Sequence, residues 1–296
     1  MASYLRDGEV VMLELRGKAV AEAHKKILLE KLGALKANNT ILSMAIILVG
    51  DDKAAAMYAK FMEKTALQIG FGCRRITLPT TATQEEVMAT VQSLNEDPSI
   101  HGILPLMPMP RHIHTDAIID TLAPEKDIDG LTTYNIGRMT CGKPSLVPCT
   151  AKACMAILAH YNIAVAGKKV VVVGRSQVIG KPVALMVLVQ HGTVTICHSR
   201  TADLPGMVKE ADIVIAAAGK AHMITADMVK TGAVVIDVGI NDLDGTTVGD
   251  VDYANVSEVA SAITPVPGGV GSVTTTMMLE SVYEAYQLQK AGDIHA

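Results

Sequence analysis

Apolar positions along this chain alternate between short continuous runs and stripes at helical spacing. Ile41 to Val49 reads as a buried strand stopped by Gly50 and two aspartates. Residues 19–35 read as an amphipathic helix with Ala23, Ile27, Leu28 and Leu32 near helical spacing, and 54–69 as a helix ended by Gly70. A strand over 75–78, a helix opened by the capping box Thr83-x-x-Glu86 and a strand over 100–104 follow. Pro105, Pro108 and Pro110 then interrupt regular structure. A helix over 150–161 leads into a second alternating unit. Its strands cover 169–173, 194–197, 212–216 and 234–238, with helices over 182–190, 202–210 and 226–230. A last helix, 274–289, follows a Pro-Val-Pro-Gly-Gly turn at 265–269. Strands separated by such helices imply right-handed parallel crossovers, hence an α/β fold with a doubly wound parallel sheet.

Length and charge narrow the class. At 296 residues the chain is about two domain-lengths long, and 49% apolar residues are ample for packed cores. A net charge of −4, with no like-charge block, argues against a nucleic-acid protein. Two Phe, seven Tyr and no Trp leave little for base-stacking or sugar-stacking platforms. The longest apolar runs, Ile41–Val49 and Val183–Val189, fall far short of the ~20 residues that span a bilayer. Arg6, Asp7 and Glu9 stand where a signal peptide needs an apolar run. Five cysteines without C-x-x-C spacing indicate neither a disulfide framework nor a zinc site. The expectation is a soluble, cytoplasmic, two-domain protein.

The most informative local pattern is the strand 169–173 running into Gly174, Arg175 and Ser176, then Gly180 and Pro182 at the start of a helix. That arrangement aims unpaired helix N–H groups and the positive dipole end at a phosphate. The spacing is Gly-x5-Gly rather than G-x-G-x-x-G, and an ordinary β-α turn that needs a glycine would look similar. The next strand ends in His198-Ser199-Arg200-Thr201, without the carboxylate that an NAD-selective site uses on the ribose 2′-hydroxyl. Arg175, Ser199 and Arg200 suit a 2′-phosphate instead, although a solvated basic turn has the same composition. Together the two loops favour NADP.

Several blocks lie in order along essentially the whole chain: Pro-Glu-Lys-Asp-Ile-Asp-Gly at 124–130, Pro-Cys-Thr at 148–150, Gly-Arg-Ser at 174–176, Asp-Val-Gly-Ile-Asn at 237–241 and Thr-Pro-Val-Pro-Gly-Gly-Val-Gly at 264–271. In these blocks the chain resembles the methylenetetrahydrofolate dehydrogenase/cyclohydrolase (FolD) family. The resemblance implies a two-domain α/β clamp, a homodimer, with folate in the cleft. It divides the chain into a folate-binding domain, 1–148 with the returning helix 273–296, and a Rossmann-like NADP-binding domain, 149–272. It also implies that Gly174, Arg175, Ser176, Ser199 and Ile240 line the cofactor, to which the reading of the basic loop adds Arg200. Asp129 would hold the pterin, Tyr58 would stack on the folate, and Pro267 and Gly268 would add to the substrate site.

Members of this family oxidise 5,10-methylenetetrahydrofolate with NADP and then hydrolyse the methenyl product to 10-formyltetrahydrofolate. The resemblance ties the second reaction to a Lys four residues after the Tyr, a Gln in the loop after a strand, and a Ser three residues before the Tyr. Here those positions hold Met62, Leu106 and Ala55. Met and Leu move no proton and Ala has no hydroxyl. Lys60 and Lys64 lie two residues from Met62, about 200° around a helix, so they face away. Losing the whole polar set avoids leaving unmatched polar groups in a partly buried site. The favoured reading is an NADP-dependent methylenetetrahydrofolate dehydrogenase whose cyclohydrolase is weak or absent, with Tyr58, Met62 and Leu106 at the catalytic positions. A bifunctional enzyme with a relocated base such as Lys53, and a non-catalytic folate- or NADP-binding paralogue, remain alternatives.

Other candidates have simpler readings. His112-x-His114 has metal-pair spacing but sits in a Pro-rich loop without a third ligand. Asp242-Leu-Asp244-Gly245 reads as an Asp-Gly hairpin turn rather than a calcium loop. Met107 and Met109, with Met62, are plausible wall residues, the other methionines core filling. Cys149 reads as packing.

Overall fold

The computed structural model describes residues 12–291, and before them the antiparallel pairs Leu5–Arg6 and Glu9–Val10. The chain divides into two compact units.

The first unit comprises the described residues up to Ala23 together with Thr150–Thr274. Its six-stranded sheet runs Leu13–Glu14, Ala262–Ile263, Val234–Asp237, Ile213–Ala216, Lys169–Val173, Thr193–Cys197, every neighbouring pair parallel. The inner strands are buried almost throughout, which is why they read as unbroken Val and Ile runs. Val171, Val214, Val235 and Ile263 join Val208, Val229 and Val256 in one core. Leaving aside the edge strand Leu13–Glu14, the strands follow the order 2-1-3-4-5, so the direction of winding reverses between Lys169–Val173 and Ile213–Ala216. A doubly wound sheet opens its ligand crevice at the carboxyl ends beside such a reversal.

Leu13 and Leu15 donate to the Ser261 and Ile263 carbonyls at 2.9 and 2.8 Å, so the described stretch up to Ala23 lies with the six-stranded sheet rather than with His24–Cys149. Nothing in its own periodicity signals a partner some 250 residues away.

The second unit comprises His24–Cys149 and the described residues from Thr275 onward. Its three parallel strands run Gly72–Leu78, Ser43–Val49, Gly102–Pro105. Pro105 closes an edge strand, where its missing N–H costs no ladder bond. The helix Lys53–Ile69 is capped at its start by Asp52, which accepts the Ala55 amide at 2.8 Å. Gly70 ends it in the left-handed conformation, φ 105°. Thr83 and Glu86 form the expected capping box of Gln84–Glu96. The last helix, Gly271–Ala291, enters this unit at Thr275: Glu280 pairs with His24 at 2.9 Å, and Gln289 donates to the carbonyls of His101 and Glu125.

Some local expectations shift. The first helix is Gly17–Ala37, with Val20 and Leu28 buried while Ile27 is exposed. Ile41 precedes the strand Ser43–Val49 and lies in solvent. The expected helix 226–230 is a single 3-10 turn, Ala226–Met228. Five residues close too few bonds to offset helix nucleation, and burial of Met228 and Val229 fixes a turn instead. Three helices, Thr115–Thr121, Thr133–Thr140 and the short Tyr253–Val256, lie where the pattern shows none. Asp244 and Gly245 do form the hairpin turn, both at positive φ, between Asn241–Leu243 and Thr246–Val248.

Candidate functional site

In the first unit the strand Lys169–Val173 ends at Gly174, whose φ of 137° excludes a side chain on conformational grounds. Space excludes it as well: a Cβ at Gly174 would collide with the Ala217 carbonyl, and one at Gly180 with the Gly174 carbonyl. The turn can therefore fold back on itself and against the loop after Ile213–Ala216. Ser176 Oγ accepts the amides of Ile179 and Gly180 at 3.1 and 3.3 Å, fixing the entry to the helix Gly180–Val189. Arg175 and Ser176 remain exposed.

The Gly174 amide donates to the Cys197 carbonyl at 2.9 Å, so the turn and the loop 198–201 leave paired strand ends together. That second loop is shaped by His198, whose amide reaches Thr201 Oγ1 at 2.9 Å and whose Nδ1 accepts the Arg200 amide at 3.1 Å. Ser199 and Arg200 are exposed, and no carboxylate stands in the loop. Ile240, 72% exposed, follows Val234–Asp237 at the same carboxyl edge. A Cβ-free cradle at a helix start, beside guanidinium and hydroxyl groups, fits a dinucleotide phosphate. Pro267 and Gly268 belong to this unit too, in an exposed turn whose Gly268 carbonyl accepts the Gly17 amide at 2.8 Å.

The second unit gathers Tyr58, Asp129, Cys149 and Thr275. Tyr58 is half-buried and hydrogen-bonded to the Thr275 side chain. Burial, then the neighbouring Cys149 and Asp129, pushes its phenol well above the usual tyrosine range. Asp129 accepts the Cys149 amide at 3.1 Å and also its thiol. Burial nevertheless raises its carboxyl to about 6, because two hydrogen bonds do not replace the lost water. The loop carrying Asp129 is tied down on both sides. Lys126, 6% exposed, donates to the carbonyls of Leu94, Asn95 and Asp97 at 2.7–3.0 Å, closing the C-terminal end of the helix Gln84–Glu96. Asp127 accepts from the Thr132 amide and Asn135 Nδ2 at 2.8 and 3.0 Å.

Met62 has no exposed surface and lies on the buried stripe Ala55, Ala59, Met62, Ala66, Ile69 of the Tyr58 helix. Leu106, also buried, follows the edge strand and donates its amide to the Ile47 carbonyl at 2.9 Å. Lys53, Lys60 and Lys64 are all exposed, the last two on the outer face of the helix. Cys149 is packed, its Sγ 3.3 Å from the Ile128 carbonyl, 3.5 Å from Ser281 Oγ and 3.7 Å from Met278 Sδ. Its amide is nonetheless a partner of Asp129, a role that sequence reasoning missed along with Thr275. The only signal available was the position of Cys149 at the start of a helix, where free amides look for an acceptor. His112 Nε2 bonds the Ala82 carbonyl at 2.8 Å, and His114 leads into Thr115–Thr121. Among the described residues no three His, Cys, Asp or Glu side chains form a group able to hold a metal ion, and no helix is long and apolar enough to cross a membrane.

Residues 15–129 match the catalytic-domain model of tetrahydrofolate dehydrogenase/cyclohydrolase, and 148–290 match that family's NAD(P)-binding domain. The bifunctional protein FolD 2 of Geobacter metallireducens is 48% identical over 292 residues, covering 98% of this chain and 99% of that protein. The solved structure of the bifunctional FolD enzyme of Campylobacter jejuni superimposes with a TM-score of 0.92 at 40% identity, covering 94% of this chain and all of the other. The Trypanosoma brucei FolD dehydrogenase-cyclohydrolase, solved with NADP cofactor and inhibitor, gives a TM-score of 0.89 at 35% identity, with 94% and 98% covered. With these matches spanning both units, the chain belongs to the tetrahydrofolate dehydrogenase/cyclohydrolase family.

Proposed function

We propose that this protein is an NADP-dependent methylenetetrahydrofolate dehydrogenase in which the cyclohydrolase step is lost or strongly weakened. The observation that carries this reading is the complete burial of Met62, on the face of the helix shared with Ala55 and one turn beyond Tyr58.

NADP supplies the hydride acceptor. The residues suited to hold it are the turn Gly174–Ser176, Ser199, Arg200 and Ile240, with Arg175 and Arg200 offering the cationic donors that a 2′-phosphate requires. On the folate side, Asp129 offers a carboxylate to the pterin and Tyr58 an aromatic face. Oxidation of the methylene carbon asks the chain for orientation above all, because the adjacent folate nitrogen lone pair drives hydride departure. No general base from the protein is obligatory for that step.

Hydrolysis of the methenyl cation is different, because the attacking water must give up a proton. The side chains at the three relevant positions are a thioether, an isobutyl group and a methyl group, and none accepts a proton. The relatives are named bifunctional. The departure proposed here concerns this chain's own residues.

Asp129 supports a second reading. A carboxyl raised to about 6 is suited to exchange protons near neutral pH, so a bifunctional enzyme using Asp129 as its base is the competing account. Paired assays on one purified sample separate the two. One follows NADPH formation from methylenetetrahydrofolate and NADP; the other follows hydrolysis of added methenyltetrahydrofolate against the uncatalysed rate in the same buffer. Dehydrogenase activity with background hydrolysis is the expected result. Hydrolysis well above background overturns it, and silence in both assays points to a binding paralogue.

A further inference from the structure

Two buried carboxylates in the first unit have no place among the candidate contact residues, yet together they tie down the carboxyl edge of the sheet. Asp237 ends the strand Val234–Asp237. Its Oδ1 accepts the amides of Gly239 and Asp250 at 2.9 and 3.0 Å, and its Oδ2 accepts that of Val251 at 3.0 Å. Asp250, held in this way with no exposed surface, turns its own carboxylate toward the loop after Ile213–Ala216. There Oδ2 accepts the amides of Ala218 and Gly219 at 2.6 and 2.9 Å, and Oδ1 accepts the Lys220 amide and Asn241 Nδ2, both at 2.9 Å. Three consecutive backbone amides converging on one anion form a nest, filled here by the protein's own side chain. The backbone fastens the same loop further along, with Ile224 donating to the Asp250 carbonyl at 3.0 Å and His222 to that of Gly249 at 3.2 Å.

The position of this loop matters because the nucleotide turn is built against it. The Ala217 carbonyl is the group that a side chain at Gly174 would strike, so Ala217 and Gly174 face each other across the reversal point of the sheet. Asn241, the fourth donor, directly follows the exposed Ile240. One carboxylate thus spans two of the loops that border the proposed dinucleotide site.

We propose that Asp250 is a positioning residue for the dinucleotide: by binding the amides of Ala218–Lys220 and the Asn241 side chain it sets the geometry of the site, and thereby its affinity, without touching the ligand. This rests on the reading of the Gly174 turn as the nucleotide cradle. An Asp250→Asn variant keeps the shape but turns an NH2 donor toward groups that are themselves donors, so the loop loses acceptors it cannot replace.

The test uses the full chain and two readouts made without folate. NADPH binding is titrated by its own fluorescence, in a chain that contains no Trp. Amide hydrogen exchange is followed at 218–220 in the ligand-free protein. For Asp250→Asn, exchange at those amides accelerates and the NADPH dissociation constant rises at least about tenfold. The KM for methylenetetrahydrofolate, at saturating NADP, stays within about twofold, as expected of an effect confined to one ligand. Faster exchange with an unchanged dissociation constant overturns the proposal, as does unchanged exchange. If Asp250→Asn fails to fold, Asn241→Ala decides by the same two measurements, with an expected rise in dissociation constant of about threefold for one lost donor. A wild-type protein that binds no NADPH overturns the cradle reading itself, an outcome distinct from equal binding by wild type and variant.

Discussion

Tyr58 and Met62 stand one helical turn apart on the helix Lys53–Ile69, the phenol half-buried and bonded to Thr275, the thioether without any exposed surface. The side chain four residues after the tyrosine therefore sits in an environment fit for a thioether. An unpartnered ammonium there would be deprived of water.

Restoring the lysine alone is accordingly expected to harm the protein. Met62→Lys places an unpaired cation at a buried position and should lower stability by on the order of 3 kcal/mol. The triple change Ala55→Ser, Met62→Lys, Leu106→Gln supplies polar partners and should recover part of that loss while raising methenyltetrahydrofolate hydrolysis above background. Thermal unfolding and the hydrolysis assay, run on wild type, single and triple variants, check both halves. A single variant as stable as wild type, or a triple variant with no hydrolysis, contradicts the account.

Folate binding should depend on pH if Asp129 holds the pterin as proposed. Its carboxyl, raised to about 6 by burial, becomes neutral below that value, so the KM for methylenetetrahydrofolate should rise as pH falls from 7 to 5. In Asp129→Asn the same profile should be flat in this window. The stability linkage has the opposite sense. A folded-state value above the ordinary 3.8 favours the native state fully below 3.8, and that advantage is lost as pH rises through 6. The stability of Asp129→Asn relative to wild type should therefore be greater at pH 8 than at pH 4. Denaturant unfolding at the two pH values measures it.

Arg175 tests the cofactor assignment. If its guanidinium meets a 2′-phosphate, Arg175→Ala should raise the KM for NADP by about tenfold or more and leave that for NAD nearly unchanged, since only one of the two carries the extra charge. Steady-state kinetics with both nucleotides decides, and equal effects on the two remove the phosphate role.

Much of this was legible in the chain itself. Unbroken Val and Ile runs at 170–173, 213–215 and 234–236 announce parallel strands buried on both faces, and the structure places them in the middle of one sheet. Gly70, Thr83 with Glu86, and Asp244 with Gly245 act through backbone angles and bonds a few residues long, so their consequences follow locally. The outward direction of Lys60 and Lys64 follows from helical periodicity alone.

What tertiary structure decided involves partners far apart in sequence. The strand Leu13–Glu14 is two residues long and takes its place only from Ala262–Ile263. Tyr58 reaches Thr275, Asp129 meets the amide of Cys149, Lys126 closes a helix that ended 30 residues earlier, and Asp250 organises a loop 30 residues upstream. None of these pairs has a spacing that a helix or strand period could reveal. The burial of Met62 is of the same kind: the sequence says which side chain is there, and only the packed protein determines that no water reaches it.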